Sequence, residues 1–309
     1  MSNFGYRILG FGAVGGRTIK PYVAASGGDA TITDGDYKIH VFTGDGTLTI
    51  DNEGTVDGSN SVEYFCIAGG GPGGGKYRGP GGGAGGWRTN YPSPALAGTP
   101  VAFTAYPIQV GAGGGSVPNR GTAGTPTTFS TIASTSGGSG PNETGAPGGS
   151  GGGTNQPGPS GHIGSGNAGG YSPPEGNPGG TSQGGCSPGA GGGGGATGSG
   201  GNGAPGFQAG PGGPGGSGGG IATTFFGPTA PSYGTPGPSG SSRYFSGGGA
   251  GGTYSPGSPG SAGYGGGAYT NNPSPANSGG GGGGGNTGAG DASPGLGGSG
   301  FLAIRYKFQ

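Results

Sequence analysis

The chain has 309 residues, of which 98 are glycine and only 27% are hydrophobic, and its formal net charge is zero. Glycine adds no side chain to a core and loses the most backbone entropy on folding, so most of the chain cannot build a conventional hydrophobic core. Charged residues make up 7% of the chain, which argues against a nucleic-acid-binding protein and against polybasic attachment to a membrane.

A glycine content this high is typical of three kinds of chain. Collagen needs glycine at every third position and abundant proline, whereas glycine here occurs in blocks such as 279–285 and prolines number 29. Disorder is the ordinary outcome for a tract rich in glycine, proline and serine. The third kind is an ordered lattice of glycine segments, which the predicted strands near both ends of the chain favour.

Residues 1–28 alternate around several apolar side chains, and we interpret them as a short strand or a segment that attaches the protein to a partner. They contain no secretory hydrophobic region. No stretch of the sequence has the length of a transmembrane helix. We therefore expect synthesis in a cytoplasm without a signal peptide.

Residues 29–135 are predicted to form a β-rich domain. Turn signals at 34–36 and 44–46 separate three short alternating runs. Residues 61–68 carry apolar side chains on both faces, which predicts a central strand. Later parts of this domain also alternate, and further strands are predicted within 101–111 and 127–135.

The C-terminal residues 296–309 end in one more alternating run, with Ile304 and Arg305 on opposite sides. A strand without neighbours would leave its backbone groups unpaired. We therefore expect this strand to complete the sheet of residues 29–135. Residues 136–295 then form one long glycine-rich segment, and the predicted strands on either side hold its two ends.

Glycine segments can pack as polyglycine II helices, which have three residues per turn and no internal hydrogen bonds. Neighbouring helices then satisfy each other's backbone groups, and the missing Cβ allows close approach. The runs at 189–195 and 279–285 suit interior helices, whereas the near-triplet spacing of 210–219 suits an outer helix. As one fully extended helix, residues 188–206 would span roughly 60 Å.

Taken together, these patterns predict an all-β protein with little or no α-helix. A small β-sandwich or sheet, closed by the C-terminal strand, carries a bundle of polyglycine II helices with protruding loops. The domains are an attachment segment at 1–28, a β-rich domain at 29–135 completed by 296–309, and the bundle at 136–295.

Two motifs carry a resemblance to a known family. A strand followed by IAGGGPGGG at 67–75, and GGSGFLAIRY at 297–306, resemble the two ends of glycine-rich modules in bacteriophage tail-fibre and adhesin proteins. The resemblance covers residues 30–309. The tip adhesins of T-even-type phages are similar in having stacked polyglycine helices with protruding loops, and in that family loops at the far end bind outer-membrane proteins.

The resemblance implies a location in the virion, after synthesis in the host cytoplasm. The implied partners are a host outer-surface protein or glycan, and other tail, fibre or capsid proteins that contact residues 1–28. A homotrimer is expected if residues 1–28 join a fibre. No nucleic-acid partner is expected.

The proline- and aromatic-rich inserts of the glycine region are the best candidates for contact with a receptor. Aromatic side chains offer large and fairly rigid contact area, and proline reduces the entropy lost on binding. The alternative for each side chain is packing against the bundle. The candidates are Tyr171, Phe225, Phe226, Tyr233, Tyr244, Phe245, Tyr254 and Tyr269. For Trp87, Arg88, Tyr91 and the KYR of 76–78, a structural turn and a receptor contact remain equal alternatives.

Nothing in the sequence indicates an enzyme, a cofactor or a metal site. His40 and His162 have no second ligand at metal-site spacing, and the G-x-G-x-x-G matches lack a βαβ unit. No Ser-His-Asp arrangement or carboxylate pair stands out. For Cys66 and Cys186 we favour buried free thiols, with one disulfide as the alternative.

The sequence thus favours a phage virion protein, a tail-fibre or tip adhesin that binds a host surface receptor without chemistry. One rival is a purely structural role, such as capsid decoration or a fibre, in which sister chains bury the aromatic inserts. A second rival is ice binding, which requires a flat face with regular threonine or alanine spacing. The inserts are irregular and rich in proline, so ice binding ranks lower.

Overall fold

The architecture was obtained from a computed structural model. It describes residues 19–75, 78–92, 98–115, 121–141, 143–155, 162–185, 187–206, 210–254, 256–286 and 293–309. These residues contain strands and short 3-10 helices but no α-helix, which confirms the all-β prediction. None of their helices is long and apolar enough to span a membrane.

The strands follow the predicted runs and add several short ones, notably in the glycine-rich region. They are β1 (Val23–Ser26), β2 (Ala30–Asp34), β3 (Tyr37–Phe42), β4 (Gly46–Glu53), β5 (Ser61–Ile67), β6 (Trp87–Thr89), β7 (Thr99–Pro100), β8 (Ala105–Gln109), β9 (Thr127–Phe129), β10 (Ile132–Ser134), β11 (Gly219–Ala222), β12 (Ser242–Phe245) and β13 (Phe301–Lys307). Within the described residues, 3-10 helices are formed by Thr223–Phe225 and by Gly227–Ser232.

Two antiparallel sheets form a β-sandwich. One has the strand order β1-β4-β8-β9-β10 and the other the order β2-β3-β13-β5-β6, with β7 also paired with β5. In β13, Ile304 pairs with His40 of β3 on one side and with Tyr64 of β5 on the other. The predictions that the last strand joins the sheet and that residues 61–68 form a central strand are confirmed.

Part of the predicted attachment segment belongs to the sandwich. Strand β1 pairs with β4, and the Asn52 side chain accepts a hydrogen bond from the Lys20 N–H at 3.0 Å and donates to the Tyr22 carbonyl at 2.6 Å. These contacts fix the chain from Lys20 onward. Residues 1–18 lie outside the described residues, so attachment through residues 1–28 stays a prediction.

The core between the two sheets contains Cys66 as a fully buried free thiol. Burial raises the pKa of this thiol to about 12, so the reactive thiolate does not form at neutral pH. The prediction of a buried free thiol is confirmed for Cys66, and Cys186 lies outside the described residues. The apolar side chains of this core are Val23, Phe42, Leu48, Ile50, Val62, Tyr64, Ile108, Phe129, Ile132, Leu302, Ile304 and Tyr306.

Residues from the glycine-rich region cover the other face of the second sheet. Strands β11 and β12 pair with each other, and with the two 3-10 helices they bury this face. The apolar side chains of this second core are Ile32, Ile39, Val41, Phe65, Ile67, Ile221, Phe225, Phe226, Ala230, Phe245, Phe301 and Ala303. Because an exposed aromatic sheet face would be unfavourable in water, the insert at 221–245 folds onto the sheet and does not protrude.

The glycine segments form a laterally hydrogen-bonded bundle. In the segment 78–86, N–H groups three residues apart donate to the same neighbouring segment. The segment is therefore hydrogen-bonded to three different neighbours. The donors are Gly79, Gly82 and Gly85 to 279–285, Gly81 and Ala84 to 191–194, and Gly83 and Gly86 to 135–138, at 2.7–3.0 Å. A period of three with lateral bonding is that of packed polyglycine II helices, as the sequence predicts.

Burial separates inner helices from outer ones. Residues 189–195 and 279–285 are buried throughout, which confirms them as interior helices. In the segment 210–218, Pro211 and Pro214 are exposed, whereas the residue two positions after each is buried. This segment is therefore an outer helix, and its prolines occupy the free face, where no N–H is needed for a neighbour.

Residues 188–206 form two helices, so they do not reach the span of roughly 60 Å that a single fully extended helix would have. The Gly192 and Gly195 N–H groups donate to the Gly201 and Gly198 carbonyls at 3.0 and 2.9 Å, so the chain reverses direction between them. Each pass of about nine residues rises roughly 28 Å. The reversal allows each pass to find hydrogen-bonding neighbours along its whole length.

His40 is buried at the edge of the core between the sheets. Its Nδ1 lies 2.6 Å from the Gly27 carbonyl oxygen and its Nε2 lies 3.0 Å from the Tyr306 hydroxyl. Burial is the main cause that lowers the pKa of His40 below its usual 6.5. The neutral ring fits this arrangement, donating from one nitrogen and accepting at the other.

We expect the free energy of unfolding to fall as the pH drops below about 6.5. In that window the unfolded chain binds a proton at His40 that the folded chain does not, whereas above it both states are neutral. The slope approaches at most about 1.4 kcal/mol per pH unit. Urea unfolding followed between about pH 7.5 and 5 measures it.

The matched variant is His40→Asn, which keeps a donor near the Gly27 carbonyl but cannot titrate. Its free energy of unfolding should change less with pH over the same window, whatever its value at neutral pH. An unchanged slope in this variant would assign the pH dependence to other groups.

Candidate functional site

Burial divides the eight predicted aromatic residues into three groups. The fully buried members are Phe225, Phe226 and Phe245, the half-buried members are Tyr171, Tyr233, Tyr244 and Tyr254, and the exposed member is Tyr269. The three phenylalanines are part of the second core, so their side chains do not reach a partner in this structure.

Two of the half-buried tyrosines pack beside the second core. The Tyr233 ring lies 5.0 Å from the Phe226 ring. The Tyr244 ring lies 5.1 Å from the Tyr264 ring, and its hydroxyl accepts the Ser239 N–H at 3.2 Å. Both tyrosines stabilise the cover of the sandwich, which is the packing role weighed for them from the sequence.

The other two half-buried tyrosines lie at opposite ends of the bundle. Tyr171 precedes Glu175, whose carbonyl accepts the Trp87 N–H at 2.8 Å beside the sandwich. Tyr254 follows Thr253, whose N–H donates to the Asn286 side chain at 3.3 Å. Asn286 ends the helix that begins beside the sandwich at 279, so Tyr254 lies at the end of the bundle remote from the sandwich.

A surface on the flank of the bundle presents the remaining candidate. Tyr269 is 63% exposed, more than any other aromatic side chain among the described residues, and Leu296 is 47% exposed. Pro273 and Pro275 are also exposed. Pro273 and Leu296 also line part of a groove of about 260 Å³. We call Tyr269, Pro273, Pro275 and Leu296 the flank surface.

Hydrogen bonds hold the loop of the flank surface against the bundle. The Asn271 N–H donates to the Gly284 carbonyl at 3.0 Å, and the Ser274 N–H donates to the Leu296 carbonyl at 2.9 Å. Asn271 and Asn277 adopt φ of 61° and 58°, a left-handed conformation that asparagine tolerates better than most residues. The loop is therefore shaped before any partner binds.

The charged residues of the bundle that lie closest to the sandwich have structural partners. Glu175 is fully buried and accepts the Thr135 and Gly169 N–H groups at 2.9 and 3.2 Å. The Arg243 Nε donates to the Tyr233 carbonyl at 2.6 Å. The flank surface itself contains no charged residue, so shape and apolar contact decide what binds there.

Within the described ranges, no group of three or more His, Cys, Asp or Glu side chains is placed to hold a metal ion. The groove beside the flank surface is lined by glycine, proline, serine, alanine and leucine. Those residue types supply neither a general base nor a charged ligand. The arrangement can bind a partner, but it offers no group for acid-base chemistry.

Sequence reasoning missed Leu296 as part of this surface. It stands alone between glycines in PGLGG, a context that looked like ordinary bundle sequence. Its signal is its size, because a leucine side chain has no room between closely packed polyglycine helices. An isolated large apolar residue in such a run must therefore point outward.

The chain was compared with known protein families. A family model described as a glycine-rich domain matches residues 43–307, from the end of β3 to the end of β13. The match includes the sandwich strands after β3 and the whole bundle. No curated protein matches the chain.

Proposed function

The chain belongs to the glycine-rich domain family, and we propose that it is a bacteriophage virion protein, a tail-fibre or tip adhesin that binds a host-cell surface receptor. The phage assignment is supported by the resemblance of its two end motifs to those of tail-fibre modules. These motifs lie side by side, since Ile67 pairs with Phe301. The chain thus enters and leaves the bundle at adjacent strands. This arrangement suits a protein in which the sandwich is a constant support and the bundle is a binding module that can vary.

The observation that carries the proposal is the flank surface. It combines an exposed tyrosine and two prolines, on a loop held by backbone hydrogen bonds, with an exposed leucine of the neighbouring segment. Tyrosine is enriched among residues that dominate binding energy. A preformed loop loses little entropy when a partner binds. Exposed apolar side chains that lie close together on a nearly uncharged surface suit contact with another macromolecule.

The protein would act by binding alone. The sandwich and the bundle provide a rigid support, and residues 1–28 would join the protein to other tail, fibre or capsid proteins. Synthesis in the host cytoplasm and incorporation into the virion follow from the same proposal. If residues 1–28 join a fibre, the assembly is a homotrimer with three copies of the flank surface.

We expect the double variant Tyr269→Ala, Leu296→Ser to bind host cells roughly 30-fold more weakly than the wild type, the loss expected for one strong contact residue. Both side chains are exposed, so the free energy of unfolding should change by no more than about 0.5 kcal/mol. Titration of the fluorescently labelled protein onto intact candidate host cells measures the affinity.

The matched control is Phe103→Ala, which removes an aromatic side chain that is 56% exposed on the sandwich. This variant should bind cells as the wild type does. If the wild type binds no candidate cell but sediments with phage particles, the adhesin function fails and a structural virion role replaces it.

A further inference from the structure

A second groove lies where the sandwich meets the bundle. Its volume is about 490 Å³, within the range of small-ligand sites. On the sandwich side it is bordered by Tyr64 and by the edge strand β6, which carries Trp87 and Arg88 on its opposite faces, and on the bundle side by residues 172–174 and 196–197. Both sides belong to parts of the chain fixed by hydrogen bonds, so the groove is a preformed cleft.

Trp87 gives this groove a rigid aromatic surface. Its ring lies 4.5 Å from the Phe65 ring, edge to face, and any side chain at 219 would collide with it. Trp87 is half-buried, and Pro173 and Pro174 are exposed across the groove. Aromatic and proline rings fixed in this way suit the apolar faces of a flat, ring-shaped ligand.

Arg88 supplies the charge of the groove. Its Nη1 donates to the Ala133 carbonyl at 2.8 Å, and its guanidinium lies 3.9 Å above the Tyr171 ring. In the described part of the chain no carboxylate lies within salt-bridge distance of Arg88, and Glu175 is occupied by backbone N–H groups. A guanidinium has five N–H donors, so Arg88 is positioned and still able to bind an anion.

The remaining polar groups of the groove are neutral. Ser172 is exposed, and Thr99 and Thr197 also line the groove. The groove thus combines one cation, several hydroxyl groups and rigid apolar rings. A ligand carboxylate pairs well with the planar guanidinium. The hydroxyl groups of the groove can hydrogen-bond to hydroxyl groups of a ligand, and its apolar rings can pack against the C–H faces of a ligand ring.

We propose that this groove binds an acidic saccharide, a sugar chain that carries a carboxylate. The carboxylate of one sugar pairs with Arg88 on one face of β6, the ring of a neighbouring sugar packs against Trp87 and Pro173, and Ser172 bonds sugar hydroxyls. This site does not depend on the flank surface.

Trp87 is the single tryptophan of the chain, so its fluorescence reports on this groove. The probes are trigalacturonate and sialyllactose, each compared with its methyl ester, which keeps the sugar and removes the negative charge. We expect saturable change of Trp87 fluorescence with at least one acid, and about tenfold weaker binding of its ester. If neither acid changes the fluorescence at millimolar concentration, or if acid and ester bind equally, the proposal is overturned.

The variant Arg88→Gln should lose about tenfold in affinity for the acid and little for the ester. Because Arg88 also contacts Ala133 and Tyr171, its thermal unfolding is measured in parallel. Ser172→Ala, on the exposed loop, does not threaten the fold and should weaken both ligands. Lys20→Gln, which removes a cation elsewhere on the surface, is the charge-matched control. Unchanged acid binding in both Arg88→Gln and Ser172→Ala would overturn the proposal.

Discussion

Replacing Phe226 by alanine is expected to lower the free energy of unfolding by about 3–5 kcal/mol. The Phe226 side chain is fully buried, and its ring lies 5.0 Å from the Phe225 ring and 5.9 Å from the Phe301 ring. The substitution removes the buried area and leaves a cavity that the rigid sheet face cannot fill. Chemical denaturation of the wild type and the variant measures the difference.

Phe226→Leu, which retains most of the buried volume, should cost clearly less than the alanine variant. Tyr269→Ala removes an aromatic ring of similar size from the flank surface and should change stability by no more than about 0.5 kcal/mol. If Phe226→Ala is as stable as the wild type, residues 221–245 do not form the cover of the sheet.

The expected destabilisation limits which substitutions can be used to test binding. Alanine at Phe225 or Phe226 would disturb the second core, so a loss of cell binding in such variants would not locate a contact surface. Substitutions on the flank surface avoid this difficulty, because Tyr269 and Leu296 contribute little to the core.

Replacing Gly193 by alanine is expected to lower the free energy of unfolding by about 3 kcal/mol, at the upper end of the cost of overpacking. Gly193 lies in an interior helix, and its N–H donates to the Gly249 carbonyl at 2.9 Å. A Cβ at this position would overlap the Gly82 carbonyl of a neighbouring helix. Neither backbone can move without breaking its own lateral hydrogen bonds, so the overlap cannot be relieved locally. Thermal and urea unfolding measure the loss.

Gly184→Ala is the matched control within the same region. A Cβ at Gly184 meets no atom within 4 Å, and alanine reduces the entropy of the unfolded chain. We therefore expect this variant to be neutral or up to about 1 kcal/mol more stable than the wild type. Equal stability of the two alanine variants would mean that the interior helices are not in backbone contact.

The sequence by itself determined the elements and their local environment. Alternation with a period of two predicted β2, β3, β4 and β13, because successive side chains of a strand face opposite sides. Near-triplet spacing predicted 210–219 as an outer helix, and the nearly continuous glycine of 189–195 predicted an inner one. These predictions succeed because the positions at which a helix or strand contacts its neighbours recur along the sequence with the period of that element.

Only the tertiary structure decided which aromatic inserts are core and which are surface. Phe226 and Tyr269 both stand near glycine and proline in loops of the same region, so their local sequences do not separate them. Phe226 is buried because Phe65 and Phe301, far away along the chain, leave an apolar sheet face to be covered. The reversal within 188–206 was likewise decided by lateral neighbours. Burial and chain reversal depend on contacts with segments that are distant in sequence, and a local sequence repeat does not indicate those contacts.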